Sequence, residues 1–91
     1  MFKLLVERGV AEGISLLGKE SARIKAALKS LADNPFPDGK DKKMLKGTRY
    51  TVYRLRIGKY RAFYLIDFDK EEIKVTEFLT AEQAHRKYGR L

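Results

Sequence analysis

Apolar residues in the first third of the chain recur with the spacing of one short strand followed by two helices. The run "FKLLV" at residues 2–6 predicts an opening strand, and "VAEGISLLG" predicts one or two helical turns closed by Gly18. From Lys19 to Ala32 the helical spacing predicts an amphipathic helix, whose buried face is made of Ile24, Ala27, Leu28 and Leu31. This helix is expected to end at "DNPFPDG", where Asn34 can cap it and Pro35 cannot continue it.

A loop and three strands are predicted next. Residues 40–49, "KDKKMLKGTR", have the composition of a basic loop. The runs "YTVYRLRI" and "YRAFYLIDF" predict two strands, and the Gly58-Lys59 pair between them suits a type II′ hairpin turn. "EIKVTEF" predicts a third strand, in which Ile73 and Val75 alternate and Phe78 is one step out of phase.

The final segment "TAEQAHRKYG" has the signals of a short helix at both ends. Thr80 and Gln83 form a capping-box pattern, and Gly89 suits the C-terminal cap. The predicted order is therefore β-α-α-β-β-β-α. We expect an α+β fold in which an N-terminal helical pair packs on one face of a small antiparallel sheet, as a single domain over residues 1–91.

The positive charge of the chain is concentrated in one segment. The formal net charge is +8, from 20 Lys and Arg against 12 Asp and Glu. Residues 40–61 alone contain nine basic residues and one acid, Asp41, so this segment accounts for the whole surplus. Such a distribution is typical of a surface that binds phosphates, and it favours a polyanion or an acidic protein as partner.

Several classes of site are disfavoured by composition. Cysteine is absent and His85 is the only histidine, so no metal site is expected. No cofactor is expected either, because the chain is short and lacks glycine-rich phosphate loops. The N-terminus is too short and too charged for a signal peptide, and no apolar run approaches the length of a membrane span. We expect a cytoplasmic protein without membrane contact.

The predicted hairpin brings three arginines together. Closure through Gly58-Lys59 sets Arg56 opposite Arg61 and Arg54 diagonal to Arg61, all on one face. Two arginines directly opposed are destabilising, so an anion such as a phosphodiester is expected between them. The alternative is a solvated face, or pairing of the arginines with an acid such as Glu77 on the neighbouring strand.

The motif "L-x-x-N-P-x-P-x-G", followed by "L-K-G" and "Y-R-L-R-I-G-K-Y-R-x-x-Y-x-I-D", resembles the RelE family of toxins from type II toxin–antitoxin systems, within the RelE/ParE superfamily. The resemblance implies a RelE-like fold and a metal-independent endoribonuclease that cuts messenger RNA in the ribosomal A site and inhibits translation. It also implies an acidic, RelB-like antitoxin as partner, besides the ribosome and the messenger. In this chemistry the 2′-hydroxyl attacks the adjacent scissile phosphate.

The resemblance assigns roles to particular residues. Arg61 matches the phosphate clamp, Arg54 and Arg56 match basic positions often filled by lysine, and Tyr88 matches a C-terminal tyrosine. A further basic residue normally follows the last strand, but here that position falls in "LTAEQ". Arg86 is therefore the candidate, with His85 as a possible substitute, if the last helix folds back. The expected RNA-binding residues are Lys40, Lys42, Lys43, Lys46 and Arg49.

Two other functions are also compatible with the sequence. One is a ParE-like toxin that inhibits DNA gyrase by binding, which has no need of Tyr88 and Arg86 near Arg61. The other is a decayed toxin that keeps the basic face for RNA binding but has lost the chemistry.

Overall fold

The computed structural model describes residues 1–45 and 50–89 of the chain. Lys46 and Arg49, two of the predicted RNA-binding residues, lie outside these described residues. The elements run in the order β1 (Lys3–Val6), α1 (Arg8–Ser15), a 3-10 turn (Gly18–Glu20), α2 (Ser21–Ser30), β2 (Lys42–Met44), β3 (Tyr53–Ile57), β4 (Tyr60–Asp67), β5 (Glu72–Thr80) and α3 (Ala81–Tyr88).

The strands form one five-stranded sheet in the order β1-β5-β4-β3-β2. The α+β class is confirmed, but the sheet is mixed, because β1 pairs parallel to β5. The basic-loop prediction is also wrong for residues 42–44, which form the edge strand β2 against β3. Charged residues are common on edge strands, so a lysine-rich edge has the composition of a loop.

Helices α1 and α2 pack on one face of the sheet, as predicted. The helices contribute Ile14, Ile24 and Leu28 to the core, and Leu31 joins them directly after α2. The sheet contributes Tyr53, Leu55, Ile57, Tyr60, Ala62, Tyr64, Ile73 and Val75. Of the predicted helix face, Ala27 is partly buried against this cluster and the other three residues are buried. The buried Tyr64 hydroxyl donates to the Pro35 carbonyl at 2.7 Å, which ties the turn after α2 to the sheet.

A bulge in β5 explains why Phe78 is out of phase with Ile73 and Val75. Phe63 pairs with Glu77 while Tyr64 pairs with Val75, so Thr76 is the extra residue on β5. The bulge returns Phe78 to the helix-covered face, where it packs against the main core. It also turns Glu77 and Leu79 to the opposite face.

Both local predictions about chain reversal and capping are confirmed. Gly58 has a φ of 56° and Lys59 a negative φ, the pattern of a type II′ turn. At the start of α3, the Thr80 and Gln83 side chains bond to each other's backbone N–H, and Gly89 caps the other end.

Candidate nucleic-acid interface

The β3–β4 hairpin places three arginines on the sheet face opposite α1 and α2, which we call the arginine face. Arg56 pairs directly with Arg61, and Arg54 pairs with Phe63 one step further along, as predicted. The residues between them, such as Leu55, are buried in the main core on the other side. The backbone register therefore places Arg56 and Arg61 side by side on the arginine face.

Arg54 is the buried member of the arginine face. Its residue is only 4% exposed, and its Nη2 donates to the Lys40 carbonyl at 3.0 Å and to the Asp41 carbonyl at 3.4 Å. Its Nε is buried and has no hydrogen-bond partner in the described residues. Burial lowers the pKa of Arg54, and the charges of Arg61 and Arg56 lower it further. The side chain still carries its charge at neutral pH, because the ordinary pKa of an arginine lies far above neutral.

Arg56 is the exposed member, and it is paired with an acid. Its Nε and Nη2 donate to the same Asp41 carboxylate oxygen at 3.2 and 3.0 Å. The Arg56 side chain is 41% exposed and that of Asp41 46%, so solvent or a ligand reaches both. The pairing alternative considered above is thus realised for one arginine, but with Asp41 instead of Glu77.

Arg61 lies between these extremes and is partly buried. Its Nη1 donates to the backbone carbonyls of Gly58 at 2.9 Å and Tyr60 at 2.8 Å, both in its own hairpin turn. Burial lowers the pKa of Arg61, and the neighbouring Arg56 lowers it further. No carboxylate within the described residues forms a salt bridge with Arg61. The face therefore has its least compensated positive charge around Arg61.

The predicted RNA-binding lysines that the structure describes do not share one face. Lys43 pairs with Arg54 and so lies on the arginine face at the sheet edge. Lys42 pairs with Leu55, on the opposite side, and its Nζ donates to the Asn34 carbonyl at 2.7 Å. Lys40 is exposed in the turn before β2. The lysines of this segment therefore lie on different faces of the sheet. The side chain of Lys42 stabilises the turn after α2.

Helix α3 folds back onto the arginine face and brings Tyr88 with it. Ala84 and Tyr88 pack in a second apolar cluster with Phe63, and the Tyr88 ring lies 4.7 Å from the Phe63 ring, centroid to centroid. The Tyr88 hydroxyl donates to one Glu77 oxygen, and Lys87 pairs with the other. Burial raises the pKa of Tyr88, and its hydrogen bond to Glu77 raises it further.

Arg86 is not brought into this site. Arg86 lies two residues beyond the buried Ala84, about 200° around the helix. Its guanidinium instead pairs with Glu82 on the same helix at 3.4 Å, and the side chain is 71% exposed. His85 is also exposed. Folding back of α3 therefore aligns Tyr88 with the arginines but directs Arg86 toward solvent.

Sequence reasoning missed Asp41 as a member of the site and misassigned the partner of Glu77. Asp41 could have been found as the one acid among nine basic residues of the 40–61 segment. Glu77 was considered as an arginine partner, but the bulge aims it at Tyr88 and Lys87.

Residues 1–45 and 50–89 contain no group of three or more histidine or acidic side chains arranged to hold a metal ion. Over the same ranges, no helix combines the length and the hydropathy needed to cross a membrane.

The chain combines a mixed sheet, a helical pair on one face and a basic cluster on the other, and comparison with known proteins identifies its class. The family model described as ParE toxin of type II toxin-antitoxin system, parDE, matches residues 19–85. A protein of Methanocaldococcus jannaschii that is named as a toxin, RelE1, is 37% identical over 65 residues, covering 70% of this chain and 71% of the relative. The chain therefore belongs to the RelE/ParE superfamily of toxins from type II toxin–antitoxin systems, as its motifs predicted.

Solved structures of RelE proteins share the fold. The archaeal RelE–RelB complex from Pyrococcus horikoshii OT3 contains a chain with 24% identity and a TM-score of 0.73, covering 87% of this chain and 93% of the other. The intact E. coli RelBE toxin–antitoxin complex contains one with 17% identity and a TM-score of 0.71, covering 88% of this chain and 96% of the other. At these identities the similarity establishes the architecture.

Proposed function

We propose that this toxin is a metal-independent endoribonuclease that cuts messenger RNA in the ribosomal A site, by attack of a 2′-hydroxyl on the adjacent phosphate. The observation that carries the proposal is the direct pairing of Arg56 with Arg61 across the hairpin, on a face where Arg54 adds a third charge. Because the fold gains nothing from opposing two cations, an anion that gains charge in the transition state is the fitting ligand.

The three arginines would divide the work according to their exposure. Arg61 and Arg56, which solvent reaches, would bind the non-bridging phosphate oxygens and stabilise the pentavalent phosphorus. Arg54 is too buried to bind RNA directly, so it would contribute charge and hold the turn at Lys40 and Asp41. Lys43, on the same face, would bind the RNA backbone.

Tyr88 would act at the edge of this site. Its ring lies on Phe63, the residue paired with Arg54, which puts a flat aromatic surface beside the arginines for stacking with a base. Its hydroxyl is bonded to Glu77 and its pKa is raised, so it is a weak proton donor. Stacking is therefore the role we favour for Tyr88.

The natural inhibitor would be an acidic, RelB-like antitoxin. The relatives from Pyrococcus horikoshii and E. coli were solved as complexes of RelE with RelB. In this chain the +8 surplus of residues 40–61 offers complementary charge to such a partner. An antitoxin that covers the arginine face would block access to RNA and neutralise the charge together.

A second candidate is a toxin that inhibits DNA gyrase by binding, without hydrolysis. The match to the ParE family model favours it, and so does the outward position of Arg86, which leaves one basic group of the nuclease pattern unfilled. Both candidates predict an acidic antitoxin, so only an activity assay separates them.

Primer extension on a translated messenger tests the proposal. Wild-type protein should produce new cuts at A-site codons only when ribosomes are present, and Arg61→Ala should lower the cutting rate by about 10²–10³. Arg8→Ala is the matched control, because Arg8 is 93% exposed on α1 and paired with Glu12. Absence of cutting by folded protein, together with inhibition of gyrase supercoiling, would replace the first candidate by the second. Absence of both activities would indicate a decayed toxin.

Binding should also depend steeply on salt. Phosphate contacts release counterions, so the affinity for ribosomes carrying messenger should fall linearly with salt on a double-logarithmic plot. A flat dependence would contradict a phosphate-binding role for the arginine face.

A further inference from the structure

Asp41 extends the row of the sheet that contains the two opposed arginines. Arg61 pairs with Arg56 across the hairpin, and the Arg56 backbone N–H donates to the Asp41 carbonyl at 2.8 Å, next to the start of β2. The three side chains therefore stand side by side on the arginine face, in the order Arg61, Arg56, Asp41. An acid in this row is unexpected on a surface that binds phosphate, because its carboxylate would repel the phosphate.

Within residues 1–45 and 50–89, the Asp41 carboxylate has hydrogen-bond donors on one oxygen only. Both donors from Arg56 reach the same oxygen, Oδ1, at 3.2 and 3.0 Å. In the described part of the chain no donor reaches Oδ2, and the side chain is 46% exposed. One carboxylate oxygen is thus oriented by an arginine, while the other has no donor among the described residues and can accept a proton from a ligand.

The backbone of Asp41 is held firmly from two directions. Its N–H donates to the Asp38 carboxylate at 2.8 Å, and the same carboxylate also accepts the N–H groups of Lys40 and Lys42. The buried Arg54 guanidinium donates to the carbonyls of Lys40 and Asp41 from below. Such a turn fixes the carboxylate before RNA binds, as a group that acts in the chemistry requires.

The proposed cleavage needs a group that removes the proton of the attacking 2′-hydroxyl. An arginine cannot serve, because it stays protonated at every physiological pH. The Glu77 carboxylate has both oxygens engaged, by Tyr88 and Lys87. His85 is exposed on α3, and within the described residues no hydrogen bond joins it to Arg54, Arg56 or Arg61. Of the proton acceptors described on the arginine face, Asp41 alone combines an open oxygen with contact to the phosphate-binding arginines.

We propose that Asp41 is the general base of the reaction, an inference that rests on the proposed endoribonuclease function. Oδ2 of Asp41 takes the proton from the 2′-hydroxyl, and the 2′-oxygen forms a bond to phosphorus. The bond from phosphorus to the 5′-oxygen breaks, and that oxygen takes a proton from solvent water. The products are a 2′,3′-cyclic phosphate and a 5′-hydroxyl, and Asp41 then returns its proton to solvent. Arg56 bridges the base and the phosphate.

The alternative is that Asp41 only neutralises Arg56. The charged groups around it are Arg56 and Arg54 from β3, and Asp38 and Lys40 from its own turn. If Asp41 were merely a counterion, it would compete with phosphate for Arg56, and removing its charge would strengthen RNA binding and speed cleavage. The two roles therefore predict opposite changes in rate.

Single-turnover cleavage of ribosome-bound messenger by Asp41→Asn tests the inference. Asparagine keeps the shape and an oxygen for Arg56 but cannot take a proton, so the rate constant should fall by about 10²–10⁴. The affinity for the programmed ribosome should be unchanged or tighter. The residual rate should rise with hydroxide concentration, because hydroxide then replaces the lost base, and Asp41→Glu should recover part of the rate. Asp33→Asn is the matched control, an exposed acid beyond α2 whose change alters the net charge equally.

The outcomes separate this inference from the function on which it rests. Cleavage by the wild type together with equal or faster cleavage by Asp41→Asn would overturn the general base and leave the endoribonuclease intact. Equal losses in Asp41→Asn and Asp33→Asn would also overturn it, because the effect would then be one of net charge. Failure of folded wild-type protein to cut would overturn both proposals.

Discussion

The burial of Arg54 leads to a prediction that distinguishes a positioning role from direct contact with RNA. Arg54 is 4% exposed, whereas the Arg56 side chain, two residues away on the same face, is 41% exposed. We expect Arg54→Ala to destabilise the fold strongly and Arg56→Ala to change its stability little. The comparison is matched, because both changes remove one arginine from the same strand.

The expected loss in the free energy of unfolding for Arg54→Ala can be worked out from the contacts of Arg54. Loss of the charged hydrogen bond from Arg54 to the Lys40 carbonyl costs about 2 kcal/mol, and the carbonyl is left without that donor. Loss of two buried methylenes, Cγ and Cδ, costs about 1.6 kcal/mol more. Relief of repulsion from Arg56 and Arg61 returns about 1 kcal/mol. The net expectation is about 3 kcal/mol for Arg54→Ala, against at most about 1 kcal/mol for the exposed Arg56–Asp41 pair.

Urea unfolding followed by circular dichroism measures this difference. A loss of about 3 kcal/mol corresponds to a fall in Tm of roughly 12 to 24 °C for a domain of this size. Arg54→Met should recover the packing part but not the hydrogen bond. Stabilities of Arg54→Ala and Arg56→Ala that agree within about 0.5 kcal/mol would refute the reasoning, since burial would then make no difference to the cost.

Three further predictions concern the supports of the site. Tyr64→Phe should cost about 1–2 kcal/mol in urea unfolding, because the buried Pro35 carbonyl loses its donor; an unchanged midpoint would contradict this. Gly58→Ala should cost about 1 kcal/mol, because the residue needs a φ of 56° and its added Cβ would lie 3.1 Å from the Arg23 guanidinium; equal thermal stability would show that the turn relaxes. Backbone N–H groups hold the pKa of Asp38 below its usual value of 3.8, so its contribution to stability is present above that pH and is lost as the pH falls through the lower folded value. Asp38→Asn should therefore flatten the acid limb of a stability–pH curve, and a curve parallel to the wild type would exclude this contribution.

Local features of the fold were predictable because their signals lie within a few residues. The two-residue loop sets the hairpin register, so the Arg56–Arg61 pairing followed from the position of Gly58. The capping box of α3 likewise depends only on Thr80 and Gln83. The position of Phe78, out of phase with Ile73 and Val75, indicates the bulge in β5. The face on which Glu77 lies became clear only from its pairing with β4.

The distant pairings were not predictable. β1 and β5 are separated by most of the chain, and nothing in "FKLLV" indicates that its partner runs parallel. The residues of β2 have the pattern of a loop, because an edge strand is stabilised by pairing with its one neighbour and not by its own pattern. This error also hid the fact that Lys42 and Lys43 lie on opposite faces of the sheet.

Residue spacing is enough to place three arginines on one face of a hairpin, to concentrate the positive charge around them, and to give the chain the motifs of RelE-like toxins. The environment of each arginine depends on the folded chain: Arg54 is buried, Arg56 is paired with Asp41, and Arg61 has no carboxylate partner in the described residues. This division arises because residue alternation and turn length act over a few residues. Burial and ion pairing depend on which distant strand or helix packs alongside, and the sequence of one segment does not contain that information.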